Sequence, residues 1–326
     1  GKVVKEMSLN PIFDYLQKSL NGKVYFYKDK IDQNAIDASN NLKQGEVLLI
    51  ENIRFFKEEE DDNENFAKNL SKLGDFYINE AFSCSHRKQA SLHKITNYID
   101  SYGGPLLDKE TQSINLIIKN KKEPVTSIIG GSKVSTKINV LLNLSKNTNN
   151  LVVVGAMANN FLKFNGLNVG ASLLEKGAED IIKSIYSSAE KNNCNIIIPI
   201  DCVVSNDLNG LPKLKSLSEI KSEDIILDIG EKTIELINKI IELSKTVFWN
   251  GPAGYFENKN FSKGTLSIAK KISSDTDTKS LISIVGGGDT IAALKNVEFR
   301  KVFTHLSTAG GAFLESIEGK ELPGIK

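Results

Sequence analysis

Nine short runs rich in Val, Ile, Leu and Phe recur along the chain, with helix-like segments between them. The runs are KVYFY (23–27), VLLIE (47–51), DFYIN (75–79), VTSII (125–129), LVVV (151–154), IIIPI (196–200), TVFW (246–249), LISIV (281–285) and VFTHL (302–306). Helical patterns include STKINVLLNLSK (135–146), EKTIELINKIIELSK (231–245) and FSKGTLSIAKKI (261–272). Strand then helix, repeated, predicts an α/β fold with mostly parallel sheets. The apolar runs are uninterrupted, so the strands are expected to be buried on both faces. No fixed period is visible, which argues against a solenoid.

A length of 326 residues suggests about two domains as a prior. The glycines and proline of SYGGPLLDKE (101–110) break the pattern and mark a boundary. With 41 Lys and Arg against 40 Asp and Glu, the net charge is +1. No global field draws the chain to nucleic acid or an anionic membrane. The acidic run KEEEDDNEN (57–65) reads as a solvated loop or helix start. Cys84, Cys194 and Cys202 form no CxxC pair, and no histidine stands at zinc-ligand spacing. A disulfide framework is not expected, which fits a reducing, cytoplasmic setting. No apolar run reaches membrane-spanning length, and GKVVKEMSLN has no signal-peptide core. The chain opens without Met and is expected to begin inside a longer protein.

In the second half almost every strand runs into glycine: IIGGSK, VVVGAMA, FWNGPAG, SIVGGGD and LSTAGG. One such end is an ordinary tight turn. Five together suggest a phosphate-rich ligand across a sheet edge, because ligands bind outside the carboxyl ends of open α/β sheets. Glycine lets a ligand approach the backbone, and the following helix starts offer free N–H groups. Neither GxGxxG nor GxxxxGK[ST] is present. Lys133 and Lys137 stand four apart at a predicted helix start, which puts both ammonium groups on one face. They fit either an exposed surface or a polyphosphate that relieves their conflict with the helix dipole. Asp289 fits either a helix N-cap or a ligand of Mg²⁺, which takes one or two carboxylates plus phosphate oxygens. In VFWNGPAGYFE (247–257), Asn250 can hydrogen-bond, Gly251 and Pro252 fix a turn, and Glu257 can accept from ribose hydroxyls. Trp249 reads as core.

The first half sets Arg54 and Arg87 just beyond predicted strands, in LIENIRFFKEEE and INEAFSCSHRKQAS. Arginine suits bidentate binding of carboxylate or phosphate, and it equally suits surface ion pairs. His86, His93 and His305 read as packing or surface residues rather than catalytic bases. No Ser–His–Asp order or paired-carboxylate motif stands out.

The segments LLIENIRFFKEEE, GDFYINEAFSCSHRKQAS, IIGGSKVSTKI, VVVGAMANNFL, VFWNGPAGYFE, SIVGGGDT and HLSTAGGAFLESIEGKELPG resemble, in order and spacing, the phosphoglycerate kinase family. The resemblance runs from the first residues to the last. It implies two Rossmann-like domains with mostly parallel sheets, joined by a helix across a cleft, with hinge closure. It places a phosphoglycerate-binding domain at 1–102 and a nucleotide-binding domain, with the linking helix, at 103–308. Residues 309–326 would return toward the first domain. It implies a monomer that converts 1,3-bisphosphoglycerate and Mg-ADP to 3-phosphoglycerate and Mg-ATP, reversibly, with Mg²⁺ as cofactor. Lys133, Lys137 and Arg54 would be catalytic, and Arg54 and Arg87 would hold phosphoglycerate. Gly131, Ser132, Lys133, Lys137, Gly155, Asn250, Pro252, Gly254, Glu257, Gly286, Gly287, Gly288, Asp289 and Thr290 would bind nucleotide, with Asp289 on the metal.

The family pattern has three glycines where Val154, Gly155 and Ala156 stand, and a glycine where Ala309 stands. Each change adds bulk near backbone that should meet ligand. The family's opening R-x-D-x-N-x-P strand and H-L-G-R-P loop are not in the sequence. That corresponds to about two βα units, or ~60 residues. A partial sequence with an unstable first domain and little activity is therefore expected. Two rivals are a nicotinamide-dependent dehydrogenase, which lacks its fingerprint here, and a non-catalytic nucleotide-binding remnant.

Overall fold

The computed structural model describes residues 1–295 and 302–325. Its contacts divide the chain into two units: Gly1–Asp108 with the residues from Glu321 onward, and Lys109–Lys320.

In the first unit, α1 (Asn10–Ser19) leads into β1 (Val24–Tyr27), α2 (Gln33–Asn40) and β2 (Val47–Ile50). β1 and β2 pair in parallel, with Val24 opposite Val47. Then come α3 (Lys57–Glu60), α4 (Glu64–Ser71), β3 (Tyr77–Asn79) and β4 (Ser101–Gly103), the last two a second parallel pair. Side-chain caps start two of the helices: Asp32 accepts from Asn34 N–H and Ala35 N–H of α2, and Asn63 accepts from Phe66 N–H of α4. The apolar face of α4 supplies Phe66, Ala67 and Leu70 to a small core with Ile31, Ala90 and Ile95. The helix α5 (Pro105–Ile118) carries the chain onward, and the division by contacts falls within it. The sequence places that division ahead of the helix, at 102/103.

The second unit contains β5 (Val125–Ile129), α6 (Ile138–Asn147), β6 (Asn150–Val153), α7 (Ala156–Phe164), α8 (Glu179–Lys191) and β7 (Asn195–Ile197). It continues with β8 (Asp201–Ser205), β9 (Lys213–Ser216), β10 (Ile225–Ile229), α9 (Glu231–Leu243), β11 (Thr246–Asn250) and α10 (Lys263–Lys279). It ends with β12 (Ile282–Gly286), α11 (Gly288–Ala293), β13 (His305–Ser307) and α12 (Gly311–Ile317). Six strands pair in parallel in the order β13-β12-β11-β5-β6-β7. From β5 the chain winds one way to β7, then crosses to β11 and winds the other way. The carboxyl ends of β5 and β11 are thus the switch point where such sheets open a crevice.

Every residue of β5 and β11 is buried, which is why both read as unbroken apolar runs. Alternation sorts their side chains between the two faces. Val247 and Trp249 join Ile234, Ile237 and Ile241 of α9 and Ile268 and Ile272 of α10. Phe248 turns the other way onto Phe313 of α12, with ring centroids 5.8 Å apart. Asn143 of α6 also donates to the Ile317 carbonyl. These ties keep α12 in the second unit, and only the residues from Glu321 rejoin the first.

The sequence did not foretell a three-stranded antiparallel sheet, in the order β10-β8-β9. Its β9 reads KLKS and is half-exposed, so no apolar run announces it. Asp201, at the start of β8, caps α9 from outside the helix. It accepts from Lys232 N–H (3.0 Å), Thr233 N–H (2.8 Å) and Thr233 Oγ1 (2.6 Å). The N-cap itself, Gly230, has no side chain, and a methyl there would strike the Asp201 carboxylate. Among the described residues, no helix is long and apolar enough to cross a membrane.

Asp201→Ala is expected to lower the stability of the second unit by about 2–3 kcal/mol, since it strands buried helix donors. Trp249, fully buried and the only tryptophan, reports this in urea denaturation followed by fluorescence. An unchanged midpoint would show that the cap contributes nothing.

Candidate active site

The carboxyl ends of the second unit's strands meet where β5 and β11 finish. Gly130 and Gly251 approach so closely that a Cβ on either would overlap the other's backbone. Gly251 also has φ 98°, which a side chain disfavours. Its N–H donates to Thr290 Oγ1 (2.7 Å), and its carbonyl accepts from Trp249 Nε1 (2.8 Å). Trp249 is the core residue the sequence predicts, and it also pins this turn.

Lys137 lies beside the same turn. Its Nζ donates to the Gly130 carbonyl (2.6 Å) and to Asn250 Oδ1 (2.8 Å). The other end of the Asn250 amide donates to the Gly286 carbonyl (3.0 Å), which fixes its orientation. Burial pushes the Lys137 pKa down to about 8, and the negative charge of Asp289 pulls against that shift. Lys133 is exposed and lies ahead of the helical residues. The chain forms a 3₁₀ turn at Ser135–Lys137 before α6 begins. The two lysines therefore do not share a helix face, as i,i+4 spacing predicts, because Lys133 is not yet on a helix. Glu175 holds this segment by accepting from Ser135 N–H (3.1 Å) and from the Ser135 hydroxyl.

A cavity of about 410 Å³ opens beside the turn, within the size range of small-molecule sites. Its wall includes Gly131, Ser132 and Gly155, then Pro252, Gly254 and Glu257, with Asp289 at its edge. Lys137, Asn250, Gly286 and Thr290 form the hydrogen-bonded layer described above rather than the cavity wall, and Gly287 and Gly288 lie in the turn that starts α11. Gly287, at φ 99°, is the N-cap of α11, so Asp289 sits in the first turn and is not the cap. Asp289 is exposed. Among the described residues no cluster of three or more His, Cys, Asp or Glu could hold a metal alone. A single exposed carboxylate at the cavity edge fits a Mg²⁺ that completes its shell with phosphate oxygens.

The rest of the wall comes from Ile225–Ile229 of β10, with Asn159, Leu162, Leu173, Pro199 and Leu208. Sequence reasoning missed this wall. The signal was available in IILDIG, a further apolar run into glycine. Ala156 and Ala309 both have ordinary backbone angles, so neither position requires glycine for its conformation. Ala156 opens α7 on the cavity wall, and Ala309 is buried.

In the first unit, the Arg54 side chain and the Arg87 backbone meet at one turn. The Arg54 guanidinium donates to Cys84 Sγ (3.3 Å), and Arg87 N–H donates to the Cys84 carbonyl (3.0 Å). Neither arginine forms an ion pair among the described residues. Glu59, almost wholly buried, clasps the next residues by accepting from Ser91 N–H (2.9 Å) and Ser91 Oγ (2.6 Å). His93 meets Asp62 (2.7 Å) and, in the second unit, His305 meets Glu110 (2.9 Å). Neither is placed as a catalytic base.

Together these features define a doubly wound α/β protein whose strand ends at the switch point are built from close backbone turns around a half-buried lysine. A profile of the phosphoglycerate kinase family matches residues 1–320. The phosphoglycerate kinase of Bartonella bacilliformis is 44% identical over 327 residues, covering 100% of this chain and 82% of that protein. That of Wolbachia pipientis wMel is 43% identical, covering 98% and 81%. The structure of phosphoglycerate kinase from Coxiella burnetii aligns with TM-score 0.92 at 36% identity, covering 100% of this chain and 82% of that one. The chain belongs to the phosphoglycerate kinase family.

With its pKa near 8, Lys137 is charged at neutral pH and loses its proton above it. Affinity for inorganic pyrophosphate, read by calorimetry, is expected to fall by about tenfold from pH ~7 to ~9 as that charge-assisted bond is lost. Lys137→Met should remove the fall, and comparison with it cancels the titration of pyrophosphate itself. A wild-type profile parallel to the variant's would show that Lys137 does not meet the anion.

Proposed function

We propose that this protein transfers a phosphoryl group between 1,3-bisphosphoglycerate and Mg-ADP, giving 3-phosphoglycerate and Mg-ATP, reversibly. The observation that carries this reading is the half-buried Lys137, held between Gly130 and Asn250 beside Gly131 of the cavity wall. The cavity's apolar wall suits a purine. The open edge beside Asp289 and Lys137 suits the phosphates. Glu257 lies on the same wall, within the segment that would face a ribose.

In the ATP-consuming direction the attacking group is the carboxylate of 3-phosphoglycerate, ionised at neutral pH. Its oxygen bonds to the γ-phosphorus as the bond from that phosphorus to the β-phosphate oxygen breaks, leaving ADP. No proton is removed from the nucleophile, so no general base is needed. His93 and His305 are engaged elsewhere, with Asp62 and Glu110. The protein's work is positioning and stabilising charge on the transferring group. Lys137 is placed for this, because its short side-chain bonds to Gly130 and Asn250 can be exchanged for phosphate oxygens. Lys133, exposed, would meet the phosphates from the solvent side. Asp289 would hold Mg²⁺, which when bound neutralises charge on the phosphate chain. Arg54, whose guanidinium reaches Cys84, and Arg87, three residues further on, would hold the phosphoglycerate anion, with Arg54 also steadying the transferring group.

The direct test is a coupled assay of 3-phosphoglycerate-dependent ATP consumption. Lys137→Ala is expected to lower turnover by ~10²-fold or more, as loss of a transition-state donor does, with a smaller effect on ADP affinity. Unchanged turnover would remove Lys137 from the mechanism. Asp289→Ala should weaken Mg-ADP binding severalfold more than metal-free ADP binding, because only the former uses the carboxylate–metal contact. Equal weakening of the two would count against metal ligation at Asp289.

A further inference from the structure

Asp228 is a buried carboxylate that the phosphoryl-transfer reading leaves without a role. It lies on the cavity wall near the end of β10 and is 2% exposed. Two backbone donors converge on it: Ile229 N–H (2.9 Å) and Gly264 N–H in the first turn of α10 (2.8 Å). Two glycines pack against it, Gly254 on the cavity loop and Gly264 on α10. A methyl on either would collide with the carboxylate. The pairing of β10 with β8 shifts register between Ile226 and Asp228, a bulge of the kind that re-aims side chains beside sites. The Leu227 carbonyl there accepts from Tyr255 N–H of the cavity loop (2.7 Å). Three pieces of the wall therefore meet at one carboxyl group.

We propose that Asp228 is the positioning residue of the cavity: its ionised carboxylate holds β10, α10 and the Gly254–Glu257 loop in the arrangement that receives the nucleoside. This rests on reading the cavity as the nucleotide site. An acceptor-only group suits the position, since both neighbouring backbone groups are donors. The arrangement is costly. Burial raises the Asp228 pKa to about 7, against which the two N–H bonds and the Lys263 ammonium pull. Lys263 of α10 is itself paired with Glu231 of α9 (2.7 Å). Asp201 of β8 is turned to the start of α9, and Tyr255 and Glu257 are the remaining titratable groups on the loop. Because the folded pKa is raised, the native state is most stable with Asp228 protonated, and that stability is lost as pH rises toward about 7. A carboxyl group buried in a cavity wall, where its ionised form costs stability, is more readily explained by function than by folding.

The test measures adenosine and Mg-ADP binding by calorimetry, for the wild type and Asp228→Asn, at pH ~6 and ~8. Adenosine has no phosphate and no group titrating in this range, so its pH dependence belongs to the protein and is insulated from Lys137. At pH ~8 the wild type is expected to bind adenosine about tenfold more tightly than the variant, the effect of disturbing a buried charge-assisted network. At pH ~6, with Asp228 protonated, the two should converge. The variant should also lose the fall in thermal stability expected of the wild type between pH ~5 and ~7. Equal affinities at pH ~8, or a ratio that does not change with pH, overturn the inference while leaving the nucleotide reading intact. A wild type that binds neither ligand overturns both. If Asp228→Asn does not fold, the wild-type adenosine profile decides alone: a flat profile between pH ~6 and ~8 overturns the proposal.

Discussion

The contact between Gly130 and Gly251 is the constraint on which the rest of the site depends. Both residues end central strands of the second unit, and no side chain fits between them. Their closeness leaves backbone groups that must be paired in a dry setting. Trp249 Nε1 takes the Gly251 carbonyl, Thr290 Oγ1 takes the Gly251 N–H, and Lys137 takes the Gly130 carbonyl. Three residues from three elements are thus fixed by one backbone approach. Asn250, next in the chain, completes the layer by linking Lys137 to the Gly286 carbonyl. The order of strands in the sheet places this approach at the switch point, so the ligand edge follows from topology.

A lysine half-buried in such a layer carries a cost. Two hydrogen bonds compensate part of its desolvation, and the lowered pKa records the remainder. An incoming phosphate supplies the counter-charge that the resting site gives only partly, through Asp289. The same holds for the segment around Ser135, where Glu175 already satisfies a backbone donor. The site is therefore assembled before ligand arrives, the condition under which electrostatic stabilisation needs least reorganisation.

Much of this was legible in the sequence because apolar runs and glycines report directly on buried parallel strands and their ends. β5 is legible to the residue, β11 to within one at its end, and β12 to within one at each end. The antiparallel sheet was not legible, since β9 alternates lysine with other residues on a half-exposed face and carries little apolar signal. With that sheet went Ile225–Ile229 of the cavity wall, although their own run is apolar. The lysine geometry failed for a different reason. Spacing of four assumes a helix, and the 3₁₀ turn at Ser135–Lys137 delays the helix until Ile138. The Asp289 cap failed similarly, because Gly287 at positive φ already turns the chain into α11. Hydrogen bonds such as Arg54 to Cys84 depend on tertiary placement and leave no local mark in sequence.

Two titratable groups of opposite sign lie at the cavity, Asp228 buried in its wall and Lys137 half-buried in the hydrogen-bonded layer beside it, and desolvation moves their pKa values toward each other. Asp228 is pushed up to about 7, and Lys137 is pushed down to about 8. On the proposed reading the cavity wall uses the first ionised and the phosphate edge uses the second protonated. The range of pH over which both are charged is therefore much narrower than in water and lies around neutrality. In water, the same two side chains would be jointly charged across more than six pH units. Burial narrows that range from both ends, so the one desolvated environment that strengthens each charge also confines the conditions under which the site is complete. On the proposed reading, a phosphate ligand would widen the upper limit by stabilising the ammonium form, whereas a nucleoside without phosphate would not. Asp228 stands in the cavity wall and Lys137 in the hydrogen-bonded layer beside it, so the two ends of such a ligand would meet pH through different residues.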